Sequence, residues 1–179
     1  GEPSRRKNRL FFYSEVNQET IQSFVTHLRE AEHDARKLAV EMDTDPPTIH
    51  VHIHSYGGDV FAGVAAMDAI LEIRERVPVH THIEGGAASA ATMMSVAGTH
   101  RTIGAHSFIL IHQLSSEFWG KFEEWKDEMK NNESVMAMIN AFYAEHANMQ
   151  ARQVKQILKK DLWFDAKRAL RLGLVDEIR

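Results

Sequence analysis

Residues 48–59 read Thr48-Ile49-His50-Val51-His52-Ile53-His54-Ser55-Tyr56-Gly57-Gly58-Asp59. Apolar Ile49, Val51 and Ile53 alternate strictly with His50, His52 and His54. A period of two is the signature of a strand with one apolar and one polar face. Gly57-Gly58 breaks it, and from Asp59 to Arg76 the apolar positions Val60, Val64, Met67 and Leu71 recur at helical spacing. The unit is therefore strand, glycine turn, helix.

The same unit follows at once. Pro78 stops the helix, Val79–Ile83 alternates again, Gly85-Gly86 marks a second turn, and Ala87–Ala97 reads as a short helix of small residues. Upstream, Leu10–Phe12 is expected as a strand. Asn17 is expected to cap a helix carrying Ile21, Phe24, Val25 and Leu28, which Pro46-Pro47 must end. Downstream, Thr102–Ile103 and Phe108–Ile111 are expected as short strands. Helices are expected over about Phe118–His146 and Ala151–Lys159, then a strand at Leu162–Phe164. Asp165 should cap a short helix that Gly173 ends, before a last strand at Leu174–Ile178. Alternation of this kind predicts an α/β fold with parallel pairing. Residues 1–8 read as a short polar tail and residues 9–179 as a single domain.

Composition narrows the function. The 179 residues are 44% apolar and 26% charged, which places the chain among soluble globular domains and away from disorder. There is no cysteine, so disulfides, a thiolate nucleophile and Cys-based zinc sites are excluded. The net charge of −4 is interspersed, and no basic stripe points to nucleic acid. No apolar run approaches the roughly 18 residues of a membrane span. The segment GEPSRRKN lacks the apolar stretch of a secretory signal, and its opening Gly is expected of a processed N-terminus. A cytoplasmic location is the expectation.

Neither glycine pair fits a P-loop or a GxGxxG fingerprint, so nucleotide binding is a poor reading. A strand that ends in glycines and feeds a helix presents backbone N–H groups able to hold an oxyanion, but a glycine pair by itself signals only a turn. In Ala87-Ala88-Ser89-Ala90-Ala91, a serine among alanines leaves room for close approach of a substrate, although the local pattern alone favours a packed, capping serine. His112 closes the apolar run Phe108–Ile111, at the end of a buried strand. Asp161 precedes the strand at Leu162, where a turn aspartate is the ordinary reading.

Taken together, VHIHSYGGDV, GGAASAATMMSVAG, FILIHQ and DLWFDAKRALRLGLVDEI, in that order, resemble the four motifs of the ClpP family of self-compartmentalising serine peptidases. The likeness runs from about Arg9 to the C-terminus. It implies a ClpP/crotonase-like spiral of strand-strand-helix units with an outlying handle helix. It implies a Ser89–His112–Asp161 triad, oxyanion donors at the backbone N–H of Gly58 and Ala90, and no metal or other cofactor. As partners it implies a homo-oligomer of stacked heptameric rings, polypeptide substrates, and an AAA+ unfoldase that feeds them. Tyr56 stands where the family usually has proline, Leu114 follows Gln113 in place of proline, and Leu114-Ser115-Ser116 lacks the usual glycines. Such departures mark a divergent member, of a kind a phage could encode.

Three other functions share parts of the pattern. A crotonase-fold acyl-CoA enzyme uses two N–H groups as an oxyanion hole but does not need the three side chains. An inactive ring subunit would lack some of them. A Ser-Lys peptidase would need a lysine near a glycine motif, and none is there. Two further features remain open. His50, His52 and His54 with His80 and His82 form either a polar sheet face or a zinc site. Phe118, Phe122, Trp125 and Met129 form either a core stripe or a subunit contact.

Overall fold

The computed structural model describes residues 1–112, 114 and 119–179. The chain runs β1 (Ser4–Arg6), β2 (Arg9–Phe12), α1 (Gln18–Met42), β3 (Ile49–Ser55), α2 (Val60–Ile73), β4 (Val79–Ala88), α3 (Ala90–Val96), β5 (His100–Ile103), β6 (Phe108–Leu110), α4 (Phe122–His146), α5 (Ala151–Leu158), β7 (Phe164–Asp165), α6 (Ala166–Arg171) and β8 (Glu177–Ile178). The strands form one sheet in the order β1-β2-β3-β4-β5-β8, with β6 beside β4 and β7 beside β6. Pairing is parallel except for β1–β2 and β6–β7. This is the expected mixed α/β architecture.

Alternation in β3 and β4 sorts the two sheet faces. Ile49, Val51, Ile53, Val79 and Ile83 are buried in the core with Ile21, Phe24 and Leu28 of α1 and Met67, Ile70 and Ile73 of α2. α1 begins with a capping box between Asn17 and Thr20, which satisfies two helix-end donors. It ends at Asp43 in the left-handed conformation, ahead of the prolines. Glu32, buried on α1, is held by Arg76 Nε at 2.5 Å, so its charge is compensated.

Two expectations need correction. Gly1–Asn8, read as a polar tail, contains β1, which pairs antiparallel with β2 through a turn where Lys7 has φ 53°. Gly85-Gly86 is not a turn into a helix. β4 continues through both glycines to Ala88, and the helix begins only at Ala90. Gly85 takes φ +80°, and a Cβ there would lie 2.7 Å from His54 Nδ1, so only glycine fits. Across this irregularity β4 changes neighbour: His80–Ile83 pair with β5, whereas Gly86–Ala88 pair with β6. The far half of β4 is thereby set beside the strand that leads to His112.

On the other sheet face, His50 pairs with His80 in register and His52 with His82. His50 Nδ1 lies 2.8 Å from His82 Nε2, and His82 Nδ1 lies 2.7 Å from Thr102 Oγ1. His52 Nδ1 meets Glu84 Oε1 at 2.8 Å, while Arg9 contacts its other nitrogen at 3.0 Å. Among the described residues no group of three or more His, Cys, Asp or Glu is disposed to hold a metal ion. The imidazoles instead form a hydrogen-bonded layer. Burial, before any neighbouring charge, lowers their proton affinity: His50 is pushed down to about 4 and His82 to about 3.

Candidate active site

Ser89 sits between the end of β4 and the start of α3, with φ 58° and ψ −126°. That conformation is sparsely populated for a residue with a side chain and costs about 1–3 kcal/mol. Neighbours hold it there. The Ser89 N–H donates to Leu110 O at 2.9 Å, tying it to β6, and its carbonyl accepts from the Thr92 N–H at 3.0 Å and from Thr92 Oγ1 at 2.6 Å. A strained serine at a strand-to-helix turn is the arrangement of a nucleophile elbow, which exposes the hydroxyl at the sheet's end. The alanines around it are buried, and Ser89 itself is half-buried.

The first glycine pair lies against this turn. Gly57 has φ +96°, and a Cβ on it would stand 2.7 Å from both Ser89 Cβ and Ala88 O. Gly58 has φ +149°, and its added Cβ would fall 2.1 Å from Val16 O. Val16 N–H donates to Gly57 O at 2.9 Å, and Asp59 N–H donates to Val16 O at 2.8 Å, which clamps the turn. Asp59 then caps α2 through Ala62 N–H. Ala90 opens α3, where first-turn N–H groups have no intrahelical acceptor.

These parts meet at one cavity of about 70 Å³, lined by Gly58, Val60, Ser89, Ala90, Met93, His112, Leu114, Ile139 and Tyr143. Four residues singled out in the sequence, Ser89, His112, Gly58 and Ala90, thus share one small space. His112 is half-buried just beyond β6. Asp161 is exposed in the connection from α5 to β7 and does not line the cavity. Sequence reasoning passed over Thr92 and Tyr143. Tyr143 is buried on α4, and its hydroxyl is hydrogen-bonded to Thr92 Oγ1, which keeps the phenol well out of water; burial holds it protonated far above its ordinary range. Tyr143 and Thr92 stand 51 residues apart, and nothing local in the sequence links them.

The stripe on α4 resolves toward solvent. Phe122, Trp125 and Met129 are exposed, as is Trp119 just before the helix, so they are not core; Phe118 lies outside the described residues. Among the described residues no helix is long and apolar enough to cross a membrane. The family model for Clp protease matches residues 5–179. With that match over nearly every residue of a mixed α/β sheet fold, the chain belongs to the Clp protease family, the ClpP-type peptidases.

Proposed function

We propose that the protein is a serine endopeptidase in which Ser89 attacks the scissile carbonyl, His112 takes and returns the proton, and Asp161 orients the imidazole. The observation that carries the reading is the shared cavity of Ser89 and His112, with Ser89 in a strained turn. The N–H groups of Gly58 and Ala90 stabilise the oxyanion of the tetrahedral intermediate; such a donor is worth about 3–4 kcal/mol. His112 then protonates the leaving amine, and water hydrolyses the acyl-enzyme by the same relay. β6 and β7 support the third role. Their antiparallel register pairs Phe108 with Asp165 and Ile109 with Phe164, so the segment carrying Asp161 enters β7 beside the strand that leads to His112.

The cavity walls favour cleavage after apolar residues, because Met93, Ile139 and Leu114 offer a substrate side chain no charge. A larger cleft of about 600 Å³ shares Gly58, Val60 and Leu114 with the first and continues to Val135 on α4, which suits an extended polypeptide. The exposed Phe122, Trp125 and Met129 support burial against other copies of the chain, as in stacked rings around a chamber. An ATP-driven unfoldase would supply folded substrates. A fluorophosphonate probe tests the chemistry: it labels Ser89, and Ser89→Ala abolishes labelling and peptide cleavage. Cleavage that persists in pure Ser89→Ala protein would refute the assignment.

A further inference from the structure

The nucleophile's strained backbone is held by the hydroxyl of Thr92 on α3 and, through it, by that of Tyr143 on α4. Thr92 Oγ1 lies 2.6 Å from Ser89 O and is also hydrogen-bonded to Tyr143 OH. A carbonyl oxygen can only accept, so the single Thr92 hydroxyl proton points to Ser89 O, and Tyr143 O–H must donate to Thr92 Oγ1. Thr92 and Tyr143 are both buried, and water cannot replace either bond without entering the core. Tyr143 also lines the cavity that holds Ser89 and His112. Neither hydroxyl reaches the reacting atoms through any contact described above; both act on the backbone of the residue that does.

We propose that Thr92 and Tyr143 are positioning residues. Their relay, Tyr143 O–H to Thr92 Oγ1–H to Ser89 C=O, holds Ser89 in its reactive conformation and ties the nucleophile to helix α4. The proposal rests on Ser89 being the nucleophile. Without the relay Ser89 loses one of the two hydrogen bonds to its carbonyl and relaxes toward an unstrained backbone, which turns its Oγ away from the attack geometry.

The test compares Thr92→Val, Thr92→Ser, Tyr143→Phe and the Thr92→Val/Tyr143→Phe double variant with the unaltered protein. The readouts are the second-order rate of fluorophosphonate labelling and the kcat and KM for a short peptide. Thr92→Val, which keeps shape and loses the hydroxyl, is expected to slow labelling about 10–100-fold and lower kcat equally, with KM within about twofold. Tyr143→Phe is expected to slow both about 3–10-fold, and the double variant to be no slower than Thr92→Val within about twofold, because the relay works as a unit. Thr92→Ser restores the hydroxyl and is expected to recover labelling to within about threefold of the original rate. Should Thr92→Val fail to fold, Tyr143→Phe and Thr92→Ser decide the matter. Labelling of Tyr143→Phe at the original rate, a Thr92→Ser as slow as Thr92→Val, or a change in KM alone would overturn the relay. Probe label on a residue other than Ser89 in the unaltered protein would instead overturn the nucleophile assignment.

Discussion

Two regions of this protein concentrate chemically capable side chains, and they use them in opposite ways. The histidine layer on β3 and β4 brings His50 within hydrogen-bond reach of His82, His82 of Thr102 and His52 of Glu84. His82 and His52 have both ring nitrogens within hydrogen-bond distance of neighbours. The Ser89 turn has one hydroxyl, ringed by alanines and glycines, in a backbone conformation that only its surroundings maintain. Residue types alone would rank the histidine layer first as a site. The difference teaches that reactivity follows from strain, access and donors left over for a substrate, whereas a face whose donors and acceptors are mutually satisfied contributes structure.

The comparison is most exposed to failure at the proposed triad. His112→Ala and Asp161→Asn are each expected to lower kcat by about 10²–10⁴-fold, and the double variant by no more than the worse single, since triad members act together. Steady-state peptide cleavage with all three variants checks this; losses that multiply would mean the residues act independently. His50→Gln, by contrast, should leave kcat at pH 8 within about twofold, since the layer takes no part in the chemistry.

Gly58→Ala probes the donor side. A methyl group placed 2.1 Å from Val16 O forces the turn to move, and the N–H moves with it. The expected outcome is a fall in kcat of about 10²-fold with folding retained, read from peptide kinetics alongside circular dichroism. Retained activity with an intact fold would remove Gly58 from the oxyanion site.

The smallest effect belongs to the histidine layer and appears only in acid. In the folded chain His50 and His82 hold protons less tightly than the ordinary imidazole near 6.5, down to about 4 and about 3, because burial disfavours the charged ring. The unfolded chain therefore binds more protons between pH 6.5 and those values. Stability is fully present above pH 6.5 and is lost as the pH falls through that window. His80 and His52 are lowered in the same direction, His52 against the pull of Glu84. Arg9 and Arg179 face the layer and add repulsion to any imidazolium. Thermal melts should show Tm falling by about 5–10 °C from pH 7 to pH 4.5, and a His50→Gln/His82→Gln variant should show a flatter dependence. An unchanged slope in that variant would mean the acid sensitivity resides in other groups.

How far the sequence carried is explained by what each signal is made of. β3 and α2 were legible because period two and period 3.6 are local. Ser89 and His112 were singled out by the order of the four motifs rather than by their neighbours, which taken alone read as a packed serine and a core histidine. Gly85-Gly86 misled because a positive-φ glycine serves a turn and a strand irregularity alike, and only the change of strand partner distinguishes them. β1 carries Ser4, Arg5 and Arg6, an edge strand with no apolar alternation to reveal it. The periodicity of Phe122, Trp125 and Met129 defines a helix face but does not say whether that face meets core or solvent. The contact between Thr92 and Tyr143 joins residues 51 apart in sequence and leaves no local trace.

The change of partner along β4 also bears on the order in which the molecule folds. Because its far half turns to β6 rather than β5, the hydrogen bond from Ser89 to Leu110 closes a loop of only about 20 residues. The clamp of Arg101 on Asp176, which brings β8 beside β5, spans 75 residues. The longer closure costs about 1 kcal/mol more chain entropy. The strands leading to Ser89 and His112 are thus the cheaper pair to join, and the C-terminal strand is expected to dock after them. Pulse-labelled hydrogen exchange would register this as protection of the Ser89 amide ahead of the Arg179 amide, which donates to Ile103.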